Sequence, residues 1–343
     1  MQVPAVVAAG DRGAAKAIRG ESKAYLAVGE RSLVTDAVAV LQRVPEVSEV
    51  MVVGDAERLA KLLGEDASLR AELVKPLTIV PQFRNLYENA WESYRRLLPG
   101  APPEGRDPEG PGDAEQAVLY LSSDMPFATA QEISAFVRQT LAAGVDYGLG
   151  LVTEESMEGF YPEPGKPGIH MAYFNVREGR LRQSNLHLVK PAKLGNRQYV
   201  EEMYENRYQR QLGAILRIAW RILARRGGGF PVLRSYLLMH AAGFLDRRGM
   251  RRLADRLRQY LGLDRVGGYC GRLLDTDFRF IVTEGGGCAV DIDNDEDFEI
   301  AQLRYREWRA AQEARAERIY GPLPLPARAG EAPALRIAQG GEP

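Results

Sequence analysis

Apolar and polar residues follow two different periods along the first half of the chain. Four short apolar runs have the composition of buried strands, at residues 3–9, 50–53, 77–81 and 117–121. The segments that follow them place apolar residues at helical spacing, at residues 32–43, 56–63, 85–98 and 129–142, the last with Thr129 as its N-cap. Strands that alternate with helices in this way predict an α/β fold, a mostly parallel sheet with helices on both faces.

The pattern changes in the second half. Residues 169–176 and 181–189 flank a charged, glycine-containing turn and predict a β-hairpin. Residues 196–260 have a helical pattern and are rich in arginine, which predicts a helical subdomain in the C-terminal half. Three further elements are predicted after it: strands at residues 278–283 and 289–292, and a charged helix at residues 297–320.

Two segments lack hydrophobic periodicity. Residues 99–115 contain five prolines and four glycines, which predicts a flexible loop. The tail after Gly321 is rich in proline, glycine and alanine, and we expect it to be disordered. The whole pattern predicts four parts: an α/β core with the hairpin (1–195), an arginine-rich helical insertion (196–277), the last core strands with a helix (278–320), and the tail (321–343).

Composition and charge exclude several classes of protein. The 343 residues are 45% hydrophobic and 27% charged, with a formal net charge of −1, which is typical of a globular protein and indicates no nucleic-acid partner. Cys270 and Cys288 form no CxxC motif or Cys/His cluster, so no zinc site is predicted and a reducing compartment is expected. The start lacks a signal-peptide pattern, and the longest apolar stretch, residues 236–245, is too short to span a bilayer. We therefore expect a cytoplasmic protein.

Three separate segments carry candidate chemistry, and the first is a loop after the first predicted strand. Ala8, Ala9, Gly10 and Gly13 form a glycine-containing turn. Glycines let backbone N–H groups approach phosphates closely, and the nearby Lys23 can neutralise phosphate charge. A turn with a purely structural role has the same pattern, so this segment alone leaves both interpretations open.

The other two segments are acidic. Asp124 follows the fourth predicted strand, and open α/β sheets bind ligands at the carboxyl ends of their strands. A carboxylate there can hold Mg²⁺, which prefers oxygen ligands, although an acid at a helix entry is the structural alternative. Asp291 and Asp293 alternate on a predicted strand and would therefore point to the same face. An EF-hand calcium loop is discounted because Glu296 stands where that loop needs glycine.

Together these segments resemble the NTP transferases of the molybdenum-cofactor guanylyltransferase (MobA-like) group, and more broadly the nucleotidyltransferases of the GT-A-like, Rossmann-related fold. In that family an AAG or AGG turn ends the first strand, and a lysine precedes an L…GG.PL segment, which residues 23–33 match. A GD.P segment after the fourth strand is matched by residues 123–126, and a DIDTPEDL segment by residues 291–298. The resemblance covers about residues 3–155 and 280–302.

The resemblance implies a Rossmann-like GT-A nucleotidyltransferase fold and an enzyme that transfers NMP from an NTP to a phosphorylated small acceptor. It implies Mg²⁺ or Mn²⁺ as cofactor, with Asp124 and Asp293 as metal ligands and Asp291 in reserve. Lys23 and Arg12 would stabilise the leaving pyrophosphate.

The resemblance also implies where the base and the acceptor bind. In relatives a glutamine at the strand-to-helix turn lies near the nucleotide base, which suggests Gln82 and Asn85, unless Asn85 is simply the cap of the next helix. The predicted hairpin is the candidate acceptor wall, with Asn185, Arg182 and Tyr173.

The glycine loop departs from the family pattern. The family has G-x-G-x-R-M followed by a lysine, whereas residues 10–22 form a longer loop without the Arg-Met pair. This loop carries Arg12, Lys16 and Arg19, and Lys23 is the expected phosphate contact. Two alternatives stay open: a GT-A-type glycosyltransferase that uses a nucleotide-sugar, although Ser122 stands where its DxD motif needs an aspartate, and a non-catalytic nucleotide-binding scaffold.

The arginine-rich segment has two interpretations of its own. Residues 205–260 contain thirteen arginines, no lysine and only three acids. They could form a helical cap packed on the sheet, which is the usual fate of an apolar stripe at helical spacing. Alternatively, a basic amphipathic surface could rest on an anionic membrane, which would make the protein membrane-peripheral and predicts an exposed apolar patch beside the arginines.

Overall fold

The computed structural model describes residues 1–11, 17–197, 229–324 and 335–338 of the chain. Within these residues the strands are β1 (Val3–Ala9), β2 (Ala27–Val28), β3 (Arg31–Ser32), β4 (Val47–Gly54), β5 (Leu77–Pro81), β6 (Val118–Ser122), β7 (Tyr147–Thr153), β8 (Phe174–Val176), β9 (Gly179–Val189), β10 (Phe278–Thr283) and β11 (Leu335–Ile337). The helices are α1 (Leu33–Gln42), α2 (Ala56–Glu65), α3 (Ala67–Glu72), α4 (Leu86–Leu97), α5 (Pro111–Ala114), α6 (Ala130–Ala143), α7 (Gly229–Arg247), α8 (Arg251–Arg258), α9 (Leu263–Leu274) and α10 (Asp295–Tyr320).

One large mixed sheet organises the described part of the chain. Its strand order is β10-β7-β9-β6-β1-β4-β5-β11, with β8 paired to β9, and β2 and β3 form a separate pair. Every neighbouring pair in the large sheet is parallel except the pairs that β9 makes. The predicted mostly parallel α/β architecture is therefore confirmed, with β9 as the one strand that runs in the opposite direction.

Helices cover both faces of this sheet. On one face, helices α1, α2 and α6 contribute apolar side chains to the main core cluster, including Val38, Leu59 and Phe136. On the other face, Tyr94 and Leu97 of α4 pack against β-strand residues. Alternate residues along β1 divide between these two cores, as the period of two in a strand requires.

Helix beginnings agree well with the sequence pattern. The side chains of Ser32, Asp55, Asn85 and Thr129 each accept a hydrogen bond from the backbone N–H three residues later, at the starts of α1, α2, α4 and α6. These caps satisfy N–H groups that a helix start leaves unpaired. The structure adds elements that the pattern did not predict: β2, β3, β7, α3 and α5.

Three sequence predictions need correction. Residues 289–292 are not a strand: a 3-10 turn, Gly287–Ala289, leads into an irregular segment. The predicted disordered tail contributes β11, which pairs in parallel with β5. The proline-rich loop 99–115 contains α5 and is held by Arg106, whose Nη1 lies 2.6 Å from Asp113 Oδ2.

A buried glutamate explains why residues 285–289 turn instead of continuing as a strand. The carboxylate of Glu132, in α6, accepts hydrogen bonds from Thr283 Oγ1 at 2.9 Å and from the backbone N–H groups of Gly286 and Cys288 at 3.0 and 3.1 Å. Backbone groups that bond a side chain in this way are not available to a neighbouring strand. The turn also packs so closely that a Cβ on Gly287 would lie 1.9 Å from the carbonyl oxygen of Phe127.

The described helices α7 and α9 pack on the outer strands of the sheet, and α8 packs on α7. Leu238 and Met239 of α7 and Val266 of α9 contact a small core cluster that contains Leu151 and Leu181. Residues 198–228 of the predicted arginine-rich insertion lie outside the described residues. Within those described, no helix is long and apolar enough to cross a membrane.

We predict that Gly287→Ala destabilises the fold by about 2 kcal/mol or more, because the new Cβ would force the backbone of Phe127 to move. Gly159→Ala is the matched control, since a Cβ there meets nothing within 4 Å. The urea midpoint of each variant, followed by circular dichroism, checks the prediction. Equal midpoints for the two variants would contradict it.

Candidate functional site

Several polar residues from distant parts of the chain meet at the carboxyl edge of the parallel strands. Gly10 and Asp11 follow β1, Gln82 follows β5, and Asp124 follows β6. Because β9 is antiparallel, its amino-terminal half lies at this same edge, and Arg182 is the register partner of Val152 near the end of β7. The crevice at the carboxyl ends of strands is where open α/β sheets bind ligands.

The ammonium group of Lys23 is the centre of the site. Lys23 Nζ lies 2.8 Å from Asp293 Oδ1 and 3.2 Å from Asp124 Oδ2. Burial lowers the pKa of Lys23, but the two carboxylates outweigh this effect and raise the pKa above its ordinary value. The side chains of Lys23 and Asp124 are 17% and 13% exposed, whereas Asp293 is 54% exposed, so the site opens to solvent beside Asp293.

Asp124 is held in place by its neighbours along the chain and across it. Ser122 Oγ donates a hydrogen bond to Asp124 Oδ1. The backbone N–H of Ile292 donates to the carbonyl oxygen of Asp124 at 3.3 Å, which fastens the acidic segment to the end of β6. Ile292 is completely buried, so the segment is anchored in the core between Asp291 and Asp293.

Asp291 and Asp293 have different partners, although the alternating pattern placed them on one face. Arg182 Nη2 lies 2.5 Å from Asp291 Oδ1, and Arg182 Nε donates to the carbonyl oxygen of Ala289 at 2.7 Å. Burial raises the pKa of Asp291 to about 6, and the charges of Asp293 and Asp124 act in the same direction, against the effect of Arg182. Arg182 therefore clamps the segment that carries the acids.

Gln82 holds the start of the glycine loop. The backbone N–H of Asp11 donates to Gln82 Oε1 at 3.0 Å, and Gln82 Nε2 donates to Asp11 Oδ1 at 2.6 Å. A Cβ on Gly10 would lie 3.0 Å from Gln82 Oε1, so glycine allows the amide to come this close. Asn85, in contrast, caps α4: its side chain accepts a hydrogen bond from the N–H of Glu88 at 2.8 Å. Capping is the role that the sequence offered as the alternative to a place near the nucleotide base.

Only some residues of the predicted phosphate loop lie within the described ranges. Ala8 and Ala9 end β1, and the carbonyl oxygen of Ala8 accepts from the N–H of Ser123 at 3.2 Å. Arg12 and Gly13 lie outside the described residues. Arg19 lies on the far side of the loop, where its Nη2 is 2.5 Å from Glu299 Oε1 of α10.

The hairpin of β8 and β9 supplies one side of the site. Tyr173 Oη accepts a hydrogen bond from Tyr161 Oη at 2.5 Å, and burial raises the pKa of Tyr173. Leu121 and Leu186 are register partners in β6 and β9, so Asn185 comes next, towards the end of β6 from which Asp124 follows. Of the three predicted acceptor residues, Asn185 and Tyr173 lie on the hairpin side of the site. Arg182 instead pairs with Asp291 of the acidic segment.

The two carboxylates that meet Lys23 are the ones that the sequence resemblance suggested as metal ligands. Asp124 and Asp293 converge on one point, now held by Lys23 Nζ, and both offer the hard oxygen donors that Mg²⁺ prefers. Within the described ranges, no three His, Cys, Asp or Glu side chains form a metal cluster. A pair of carboxylates agrees with Mg²⁺ sites in which substrate phosphates complete the coordination.

Sequence reasoning missed three supporting residues. Asp11 bonds Gln82, and Ser122 bonds Asp124. Glu132 bonds the turn at residues 285–289. Asp11 and Ser122 stand next to residues that the motifs singled out, so proximity in sequence was a usable signal. Glu132 gave none beyond its place in the first turn of a predicted helix, where acids are common.

His170 and His187 do not belong to the site. His170 is exposed, and His187 Nδ1 lies 2.8 Å from Tyr147 Oη, with its side chain on the face of the sheet shared by Tyr120. Burial lowers the pKa of His187 from 6.5 to about 4. His187 is thus a packed strand residue.

No protein-family model and no curated protein matches the chain. Among solved structures it is similar to a hypothetical transferase from Thermus thermophilus, with 22% identity, a TM-score of 0.50, and coverage of 87% of this chain and 100% of that chain. It is also similar to a 4-diphosphocytidyl-2C-methyl-D-erythritol synthase from Anaerococcus prevotii (11% identity, TM-score 0.42, 89% of this chain and 98% of that chain). A third similar structure is CMP:2-keto-3-deoxy-manno-octonic acid synthetase complexed with CTP (11% identity, TM-score 0.39, 64% of this chain and 86% of that chain). The likeness to the Thermus structure confirms the Rossmann-like α/β fold.

We predict that His187 makes stability fall as pH drops from about 6.5 to about 4. In this window the unfolded chain binds a proton that the folded His187 does not, so folding loses up to about 3 kcal/mol. His187→Gln can still accept from Tyr147 and should flatten that part of the profile of unfolding free energy against pH. His170→Gln, at an exposed position, is the control and should leave the profile unchanged. A profile that is the same in wild type and His187→Gln would refute the assignment.

Proposed function

We propose that the chain is a nucleotidyltransferase that transfers the NMP unit of an NTP to a phosphorylated small acceptor and releases pyrophosphate. The observation that carries this proposal is the contact of Lys23 with both Asp124 and Asp293 at the carboxyl edge of the sheet. In such a cluster the ammonium group can neutralise phosphate charge, and the two carboxylates can bind a divalent cation.

The sequence resemblance supports the same proposal independently. Its three motifs lie far apart in the chain, yet one residue from each, namely Lys23, Asp124 and Asp293, takes part in a single cluster. A chance match of short motifs would not be expected to bring its members together. We therefore place this chain near the MobA-like group of NTP transferases as part of the proposal.

The reaction requires positioning and charge neutralisation more than covalent chemistry by the protein. An oxygen of the acceptor phosphate attacks the α-phosphorus of the NTP, and the bond from that phosphorus to the β-phosphate oxygen breaks, so pyrophosphate leaves with the electron pair. Lys23 stabilises the negative charge of the leaving group. Gly10 lets the loop backbone approach the nucleotide, while Gln82 holds Asp11 and so fixes where the loop begins.

Asp124 and Asp293 would hold the Mg²⁺ or Mn²⁺ ion, with Asp291 beside them. When bound, such an ion neutralises phosphate charge. Arg182 acts as a positioning residue in this proposal, because it clamps Asp291 and the carbonyl oxygen of Ala289. Asn185 and Tyr173 remain the candidates for contact with the acceptor.

The substrates of this proposal are small molecules. Candidate acceptors are a sugar-1-phosphate, a polyol phosphate, a phosphorylated lipid head group and a pterin cofactor. A glycosyltransferase would instead use a nucleotide-sugar, and a scaffold would bind nucleotide without turnover. Pyrophosphate release, measured with each of the four NTPs and each acceptor, distinguishes the three possibilities when nucleotide-sugars are assayed in parallel.

We predict that Lys23→Ala lowers the rate of pyrophosphate release by about 10²- to 10³-fold, because it removes the positive charge next to the leaving group. Lys166→Ala is the matched control: Lys166 Nζ pairs with Glu307 at 2.9 Å, and its side chain is 50% exposed. Lys23→Ala should also lower the unfolding temperature, because it leaves the carboxylates of Asp124 and Asp293 without their ammonium partner. The rates are therefore compared at a temperature at which circular dichroism shows both variants to be folded. Similar rates for the two lysine variants would argue against the role of Lys23.

We predict that the stabilisation of the protein by NTP depends on a divalent cation and on Asp124. The thermal unfolding midpoint should rise when NTP and Mg²⁺ are added together, and the rise should disappear with a chelator or in Asp124→Asn. This measurement needs no acceptor, so it remains informative when the acceptor is unknown. An equal rise with and without Mg²⁺ would show that the two aspartates do not hold a metal.

A further inference from the structure

Among the described residues, the exposed large apolar side chains are concentrated on two helices. Seven of these eleven lie between residues 230 and 260, on α7, on α8 and beside them: Phe230, Tyr236, Leu237, Phe244, Met250, Leu253 and Tyr260. A soluble surface normally spreads such residues singly, and a contiguous group indicates an interaction site.

Along α7 these residues form a continuous ridge. Exposed residues follow one another at spacings of four and three, which is one face of a helix: Phe230, Arg234, Leu237, Ala241, Phe244 and Arg248. We call this set the α7 ridge. Phe230, Leu237 and Phe244 lie seven residues apart, so the three apolar side chains span about 21 Å along the helix.

The opposite face of α7 is already occupied by the protein itself. Leu238 and Met239 pack into the outer core cluster, and Ala242 is completely buried. A Cβ on Gly243 would lie 2.8 Å from Asn175 Nδ2 of β8, so the helix lies close against the hairpin. Because its inner face is used for this packing, the apolar ridge on the outer face serves no purpose in the described core.

Positive charge surrounds the ridge. The two acids nearby, Asp246 and Asp255, both pair with Arg258, at 2.7 and 2.9 Å. Six other arginines on α7 and α8 or beside them have exposed side chains and make no ion pair with any described residue: Arg234, Arg247, Arg248, Arg251, Arg252 and Arg256. The surface is therefore both apolar and strongly cationic.

We infer that the α7 ridge docks on an anionic lipid bilayer. The phenylalanine and leucine side chains would enter the boundary between head groups and acyl chains, and the arginines would contact lipid phosphates. A second copy of this chain fits less well, because two cationic faces repel each other. A straight ridge with three apolar side chains in line is suited to lie along a flat surface, with the helix parallel to it.

Cosedimentation of the full chain with vesicles tests this inference. We expect binding to phosphatidylcholine vesicles that contain phosphatidylglycerol, and at least roughly tenfold weaker binding to phosphatidylcholine alone. Binding should weaken from low to physiological salt, because screening reduces the contribution of the arginines. Absence of binding to the anionic vesicles at both salt concentrations would overturn the inference.

Two pairs of substitutions separate the apolar and the charged contributions. The double variant Leu237→Gln, Phe244→Gln should bind anionic vesicles roughly tenfold more weakly or worse, because it removes the inserted side chains. Arg248→Gln, Arg252→Gln should cause a loss of similar size. Because these two arginines make no ion pair with the described residues, this second variant keeps the test valid if the first one alters folding.

The matched control lies on α10. Leu303 is 72% exposed, and Arg306 is exposed on the same helix. The double variant Leu303→Gln, Arg306→Gln should bind as the wild type does. If the ridge variants also bind as wild type, another surface is responsible and the inference is wrong. It is equally wrong if sedimentation velocity shows a dimer that Leu237→Gln, Phe244→Gln dissociates, because the occupant would then be a second copy.

Discussion

The position of one positive charge, the ammonium group of Lys23, is the constraint on which the site depends. Asp124 and Asp293 approach it from positions 101 and 270 residues further along the chain. Two carboxylates this close to each other would repel, and the ammonium between them turns the repulsion into a net attraction. The same contact ties the beginning of the chain to the end of β6 and to the segment before α10. Any phosphate or cation that enters the site therefore changes interactions in all three segments at once.

Two features of the backbone make this convergence possible. The turn at residues 285–289 is bonded to the buried carboxylate of Glu132, which directs the following acidic segment towards Asp124. The reversed strand β9 brings Arg182 to the same edge of the sheet, where it clamps that segment from the other side. A purely parallel sheet would place the beginning of β9 at the opposite edge. The site thus results from a local turn and from the direction of one strand.

The helices α7 to α9 differ from the rest of the protein in how they use apolar residues. Leu238 and Met239 attach α7 to the outer strands, while Leu237 and Phe244 point away from them. A helix that is apolar on two faces has a second contact to make, unlike the amphipathic helices that cover the central sheet. The core and this outer surface can therefore be studied separately, because different residues carry them.

The sequence by itself determined the alternation of strands and helices, the helix caps and three of the central site residues. Lys23, Asp124 and Asp293 could be found because short motifs and strand ends are local features. What only the tertiary structure decided is which partners these residues have. The alternation around Asp291 and Asp293 is the same in a strand and in an irregular extended segment, and only a neighbouring backbone distinguishes the two. Here the N–H of Ile292 bonds the carbonyl oxygen of Asp124 in a single contact and no ladder follows, while Asp291 pairs with Arg182 and Asp293 with Lys23. Likewise β11 has no local periodic signal in a proline- and glycine-rich tail, and becomes a strand because the edge of β5 offers it hydrogen bonds.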